Sequence, residues 1–314
     1  MTDKTVLITG GNTSLGYECA KAIARSGQSW HIVITARDAD KGRDAVSRLI
    51  AETGYPHIEM MIIDLASLAS IRSFVEVFQQ RTLPPLHAIV CNAGVGTGNS
   101  TQYTKDGFEM TFGVNHLGHF LLVNLLLPHL MEPARIIVVS GAHGAKTRLG
   151  LLLGNPPPLF TNADDLAHPK AEMEQTIPKL GRVRYVTSKL SNLYFTYELD
   201  RRLRASGREA IMVNAFNPGV MAGTGLARDS AAFVRFIWHH IMPMLSDRVQ
   251  NFNSPARAGV MLARLVIDPE LKNVSGKYFL GEQHRESSEE SYDRQRAMEL
   301  WEASLQLVGL SQSP

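Results

Sequence analysis

Two cysteines in 314 residues, Cys19 and Cys91, are too few for a disulfide framework, and both sit in apolar, helix- or strand-like stretches. The chain therefore reads as a protein of a reducing compartment. A surplus of charge is missing too. The 32 lysines and arginines face 30 acidic residues, the formal net charge is +2, and no basic block stands out. A nucleic-acid partner, which needs a concentrated positive face, is not expected. No uninterrupted apolar run reaches the ~18 residues that suggest a membrane span. The first strand-like run begins near residue 5, so no signal peptide is expected. Repeats and Ser/Pro-rich linkers are absent as well. The expectation is one soluble, cytoplasmic domain over residues 1–314.

What is present begins with a short apolar run, Val6-Leu7-Ile8, followed by Gly10, Gly11 and Gly16 and then a helical pattern from Tyr17 to Ala24. Strand, glycine turn and helix together form a phosphate cradle: glycines admit tight turns, and a helix N-terminus offers free N–H groups. Further strands are predicted at His31–Thr35, Ile58–Ile63, Leu86–Cys91, Ile136–Val139, Ala210–Phe216 and Lys277–Leu280. Helices are predicted between them. One is capped by Asp38 and ends near Thr53. Others run from Ser67 to Gln80, over 105–131 as two helices (the second Asn115–Leu127), Val183–Ala205, 227–245, Ala256–Val266 and 293–307. The stretch 144–182, with Pro156-Pro157-Pro158, breaks this rhythm and reads as a functional loop or an insertion.

Strands that are apolar throughout and alternate with helices imply an α/β fold, a doubly wound parallel sheet of Rossmann type. Ligands in such sheets sit at the carboxyl ends of the strands. Thr9, Arg37, Asp64, Asn92, Ser140 and Asn217 all fall at predicted strand ends.

Tyr185-Val-Thr-Ser-Lys189 lies on a predicted helix, and a spacing of four puts Tyr185 and Lys189 on one face. A neighbouring ammonium favours phenolate, so Tyr185 is expected to titrate below its ordinary value and to exchange a proton with an alcohol or ketone oxygen. With these residues the chain resembles the short-chain dehydrogenases/reductases over most of residues 4–282. The family's glycine loop, Thr-Gly-x-x-x-Gly-x-Gly, is met by Thr9, Gly10 and Gly16, with Ser14 in place of the middle glycine. Its Asn-Ala-Gly motif is met by Asn92, Ala93 and Gly94. Val114–Leu122 and Tyr185–Asn192 are similar to the branch of retinol dehydrogenases and protochlorophyllide reductase. The residues after Pro218-Gly219 look more like protochlorophyllide reductase, but Val220 stands where that enzyme has a cysteine.

The resemblance implies Asn115, Ser140, Tyr185 and Lys189 as catalytic residues. The family often has two serines at the end of the fifth strand, the second catalytic; here only Ser140 is available and Gly141 follows. The resemblance gives Lys189 a hold on the nicotinamide ribose, Ser140 a hydrogen bond to the substrate oxygen and Asn115 a relay water. It also implies cofactor contacts at Gly10, Asn12, Thr13, Ser14, Leu15, Gly16, Arg37, Asp64, Leu65, Asn92, Ala93, Gly94, Pro218, Gly219, Val220 and Thr224. Arg37 follows the glycine loop by about 20 residues, where dinucleotide folds place an acid for a ribose hydroxyl or an arginine near a 2′-phosphate. Position 36 is alanine, so NADP(H) is expected, with support from Asn12 and Lys41. His116 and His119 lie three apart, but no third ligand is evident, and no metal is expected.

These readings combine into an NADPH-dependent oxidoreductase interconverting a carbonyl and an alcohol. Double-bond reduction and a non-catalytic dinucleotide sensor are the rivals. After Pro218-Gly219 the family places a lid, so residues 220–250 are expected to line the substrate pocket. Phe233, Phe236, Ile237, Trp238, Ile241, Met242 and Leu245 recur there at helical spacing, which implies a bulky apolar substrate. Family dimers commonly pair through the helices of Asn115 and Tyr185, and carbonyl reductases with a comparable insertion stay monomeric. A monomer is therefore expected, without a firm membrane anchor.

Overall fold

The computed structural model describes residues 2–141, 156–170, 177, 179–221 and 252–311. In chain order its main elements are β1 (Lys4–Ile8), α1 (Ser14–Ala24), β2 (Trp30–Ala36), α2 (Ala39–Thr53), β3 (Ile58–Ile62), α3 (Leu68–Gln80) and β4 (Leu86–Cys91). Next come α4 (Met110–Phe112), a π-helical turn (Gly113–Leu117), α5 (Gly118–Leu126), β5 (Leu130–Val139), α6 (Ala163–Ala167), α7 (Leu180–Ala205) and β6 (Ile211–Asn217). The chain closes with β7 (Val220–Met221), β8 (Phe252–Asn253), α8 (Pro255–Ile267), β9 (Lys277–Leu280), β10 (Gln283–Arg285) and α9 (Arg294–Leu307).

The apolar runs assemble into an eight-stranded sheet of order β10-β9-β6-β5-β4-β1-β2-β3. Every pairing in it is parallel except β9 with β10. Strand order reverses between β1 and β4, and this crevice is where a doubly wound sheet takes a ligand. Alternation along each strand feeds two cores. Leu7, Val33 and Ile89 pack on one face with α3, α5, α7 and α9. Val6, Ile8, Ile32, Ile34 and Val90 pack on the other with α1, α2 and α8.

Helix ends follow their side chains. Asp38 accepts from the amides of Asp40 and Lys41, Ser67 from that of Ser70, Ser254 from that of Arg257 and Asp293 from that of Arg296. Each such cap is worth ~1 kcal/mol. On α3, Ile71, Phe74, Val75 and Phe78 form the buried face. The final helix is held by Trp301, 1% exposed, whose ring lies 4.9 Å from Phe120 and 5.8 Å from Phe195. Removing such a side chain costs about 3–5 kcal/mol.

Several predicted boundaries are corrected. Residues 105–131 hold one nearly continuous helix rather than two. Lys105-Asp106 form a turn closed by Gly107 N on the Thr104 carbonyl, Gly107 adopts φ +84°, and Glu109 caps the start at Met110 by accepting from Phe112 N. Met110–His129 is long and apolar enough to cross a membrane by composition, yet most of it is buried in the core. β5 begins at Leu130, ahead of Ile136, because its first residues Met131, Glu132 and Pro133 are exposed and lack the apolar signal. β10 is polar (Gln-His-Arg), and β7 and β8 hold two residues each, so none carries a readable pattern. Within 144–182 the described residues include α6, and α7 starts at Leu180 rather than Val183. The helix expected over 227–245 lies outside the described residues.

Candidate active site

Thr9, at the end of β1, organises the loops on both sides of the crevice. Its hydroxyl oxygen accepts from the amides of Asn92 (2.9 Å) and Ala93 (3.0 Å). Asn92 Nδ2 in turn donates to the Thr9 and Gly10 carbonyls at 2.8 and 3.3 Å. A Cβ at Gly16 would lie 2.6 Å from Asn92 Nδ2, so this approach needs glycine at 16. Gly10 takes φ +63° to make the turn. Ser14 takes φ +50° at the first position of α1, a left-handed conformation that glycine adopts freely and serine does not. The helix cap, Thr13, makes no side-chain hydrogen bond to the first-turn amides. Those amides are open to an anion, as dinucleotide phosphates require.

Arg37 is exposed just past β2 and makes no ion pair or hydrogen bond with the described residues. Asp38 is occupied as a cap, and Lys41 stands 3.7 Å from its carboxylate. Asp64 accepts from Ala66 N at 3.1 Å and pairs with Lys105 Nζ at 3.0 Å, and Leu65 beside it is buried. The Pro218-Gly219 turn is held from two sides. Asn217 Oδ1 accepts from Gly219 N at 2.9 Å, and the buried Asn253 donates to the Pro218 carbonyl at 2.7 Å. Tyr278 backs this turn by accepting from Asn217 Nδ2. Thr224 and the apolar stripe 233–245 lie outside the described residues.

The four candidate catalytic residues are brought together. Asn115 sits fully buried in the π-helical turn. Its Oδ1 accepts from Val95 N (2.7 Å), and its Nδ2 donates to Val95 O (3.0 Å) and Ser188 Oγ (3.0 Å). A Cβ at Gly94 would lie 3.3 Å from Asn115 Oδ1 and 3.6 Å from Lys189 Nζ, so the loop after β4 closes against both. Lys189, 4% exposed, donates to the Val139 carbonyl at 3.1 Å and lies 5.5 Å from the centre of the Tyr185 ring.

The electrostatics depart from expectation in one respect. Burial lowers the Lys189 ammonium to about 8, and burial also raises the half-buried Tyr185 hydroxyl above its ordinary value. The lowered tyrosine expected from the four-residue spacing is thus reversed. Desolvation of the phenolate outweighs an ammonium that is itself desolvated and turned to a carbonyl. Ser140 also differs from its implied role. It is buried at the end of β5, and its hydroxyl donates to the Lys189 carbonyl at 2.8 Å, which commits its proton to the backbone of α7.

Two histidines complete the surroundings. His119 bonds Thr9 Oγ1 at 2.9 Å and the Asn115 carbonyl at 3.1 Å, linking the glycine loop to the π-helical turn. Burial holds it down to about 4, and burial holds His116 down to about 3. His116 bonds Ser304 on α9 at 3.0 Å. Among the described residues no cluster of potential metal ligands forms. The sequence reading passed over Ser188, which bonds both Asn115 and the Tyr185 carbonyl. Its position directly before Lys189 was the available signal. The link made by His119 has no sequence signal, because a histidine in an apolar helix carries no mark of its partners.

Comparison with known proteins supplies an independent line. The model of the short chain dehydrogenase family matches residues 4–152, and the AcuH dehydrogenase domain matches residues 225–313. Human polyprenol dehydrogenase is 31% identical over 314 residues, covering 98% of this chain and 86% of its own. Protochlorophyllide reductase A of Oryza sativa subsp. japonica is 35% identical over 323 residues, covering 97% of this chain and 80% of its own. Among solved structures, an uncharacterised protein from Mycobacterium paratuberculosis superposes with a TM-score of 0.70 at 27% identity, covering 100% of this chain and 96% of that one.

Proposed function

The chain belongs to the short-chain dehydrogenase/reductase family, in the branch of retinol dehydrogenases and protochlorophyllide reductase, and on that premise we propose that it is an NADPH-dependent reductase of a carbonyl on a bulky apolar molecule. The observation that carries this reading is the meeting of Tyr185, Lys189 and Asn115 beside the glycine loop. The fit to a dinucleotide rests on the open first-turn amides of α1 and the left-handed turn at Gly10. The bound cofactor supplies hydride.

The chain's own residues do the rest. Burial keeps the Tyr185 hydroxyl protonated near neutral pH, the form a general acid needs in the reductive direction. Lys189 sets a positive charge near the ring, which favours the phenolate left after proton transfer. Asn115 fixes the end of β4 through Val95, and Ser188 ties Asn115 to the first turn of the tyrosine segment. Ser140 holds the Lys189 backbone in register with β5. NADP(H) in preference to NAD(H) is supported by Arg37, which has no partner among the described residues, and by the absence of a carboxylate at position 36. A bulky apolar substrate is supported by the stripe from Phe233 to Leu245 and by the name of the polyprenol dehydrogenase relative. A monomer is supported by residues 156–170, which cover α7. Leu159 N donates to Thr187 Oγ1 at 2.9 Å, and Phe160 meets Tyr194 edge to face, with ring centres 5.1 Å apart.

A second reading, reduction of a carbon–carbon double bond, is favoured by one feature. With the Ser140 proton committed to Lys189, no serine at the end of β5 is left to donate to a carbonyl oxygen. A screen of apolar ketones, alcohols and conjugated alkenes, following NADPH absorbance, tests both. Turnover of ketones supports the first reading, turnover of alkenes alone supports the second, and no turnover of any class with NADPH or NADH overturns both.

A further inference from the structure

We propose that the cavity between α4, α7 and the 156–170 segment is a binding site for a small apolar molecule carrying one hydroxyl group. The cavity measures about 80 Å³ and contains neither Tyr185 nor Lys189. Phe112, Leu159, Leu166, Leu180 and Val183 supply hydrocarbon walls, and Asp165 and Lys170 lie among its lining residues.

Glu109 is the group that asks for a ligand. It lines the cavity and is only 2% exposed. Its Oε2 is used, accepting from Phe112 N at 2.8 Å, but its Oε1 has no hydrogen-bond partner among the described residues. Arg184 Nε stands 3.9 Å from Oε1, an ion pair across a gap too wide for a hydrogen bond. A buried carboxylate oxygen without a donor is costly, and a hydroxyl entering this gap would supply the donor while its oxygen faces the guanidinium. Arg184 already balances the carboxylate, so a neutral donor suits the site better than a cation. The hydrocarbon walls select a ligand with a carbon body over a lone water, which needs several polar partners. An apolar cavity of ~150 Å³ takes benzene, so this smaller one fits a hydroxyl and a few carbons, with the remainder of the ligand at its opening.

The position gives occupancy a route to the candidate catalytic group. Ser188 lines the cavity and bonds both the Asn115 side chain and the Tyr185 carbonyl. The site does not depend on which reaction the chain performs.

Calorimetric titration of the full chain with phenol, and with benzene as the partner lacking the hydroxyl, tests the proposal. Phenol is expected to bind saturably and benzene at least ~10-fold more weakly, the scale of one hydrogen bond to a charged group. Glu109→Gln replaces the acceptor pair with a mixed amide and should weaken phenol by a similar factor. Leu166→Trp fills the cavity and should abolish phenol binding even if Glu109→Gln proves poorly folded; a cooperative thermal transition certifies each variant. Equal affinity for phenol and benzene would overturn the role of Glu109. Phenol binding that survives Leu166→Trp would place it elsewhere, and the absence of saturable heat would remove the site. A soaked crystal showing an ordered water only between Glu109 and Arg184 would have the same consequence.

Discussion

Replacing Lys189 by methionine should stabilise the ligand-free chain at neutral pH while destroying its activity. Lys189 is 4% exposed, and burial lowers its ammonium from 10.5 to about 8. At about 1.4 kcal/mol per pH unit, that difference corresponds to about 3 kcal/mol of folding free energy. The sign follows from proton counts. Below pH 8 both folded and unfolded chains carry the proton, and the folded chain bears the full desolvation cost. Between about 8 and 10.5 the unfolded chain holds more protons than the folded one, so stability rises with pH until the penalty is gone. Methionine has nearly the volume of the lysine stem and no charge, so it should gain stability below pH 8 and lose that advantage toward pH 10. The hydrogen bond to the Val139 carbonyl is lost, which offsets about 1 kcal/mol and leaves a net gain of about 2. Denaturant unfolding of both chains from pH 7 to 10 measures this directly. A Lys189→Met chain less stable than wild type at pH 7, or a difference that stays constant up to pH 10, would refute the reasoning.

Tyr185→Phe should lower kcat at least ~100-fold with little change in NADPH affinity, since only the proton donor is removed; fluorescence titration and steady-state rates read the two quantities. Arg37→Ala should raise KM for NADPH about 10-fold and leave NADH unchanged, and equal effects on both cofactors would remove Arg37 from a 2′-phosphate site. Ser14→Gly relieves a left-handed serine but frees the unfolded chain. The two terms nearly cancel in stability, so the variant's signature should be tighter cofactor binding as the backbone approaches the pyrophosphate, read by calorimetry. Acid should destabilise the fold from about pH 6.5 downward: His116 and His119 are held neutral to about 3 and 4 by burial, so the unfolded chain binds their protons first. His116→Phe should blunt that loss in denaturant titrations between pH 7 and 4.

The elements legible in the sequence are those whose signal is local or periodic. The strands from β1 to β4 announce themselves as apolar runs, and Asp38 and Ser67 mark helix starts by chemistry that acts within three residues. Thr9 and Asn92 could be placed at strand ends because a parallel sheet brings every carboxyl end to one side. The π-helical turn at Gly113–Leu117 could not be read, because its residues are as apolar and helix-compatible as an ordinary α-turn's. Its widened hydrogen bonding, of which the bond from Gly118 N to the Gly113 carbonyl is one instance, leaves no mark in residue type.

The candidate site shows where spacing stops being informative. A separation of four residues correctly puts Lys189 near Tyr185, but it says nothing of the medium around them. Lys189 is buried and Tyr185 half-buried by segments distant in sequence, the loop after β4 at Gly94 and Gly96 among them, and that burial sets the direction of both titrations. Ser140 makes the same point for hydrogen bonds. As the only serine at the end of β5 it had to be the candidate donor to substrate, yet α7 presents the Lys189 carbonyl 2.8 Å from its hydroxyl. A hydroxyl has one proton, so a contact 49 positions along the chain decides whether a substrate can receive it. That single bond separates the two reductive readings: a carbonyl oxygen would have to be polarised by Tyr185 alone, whereas protonation at carbon asks for one donor and no more.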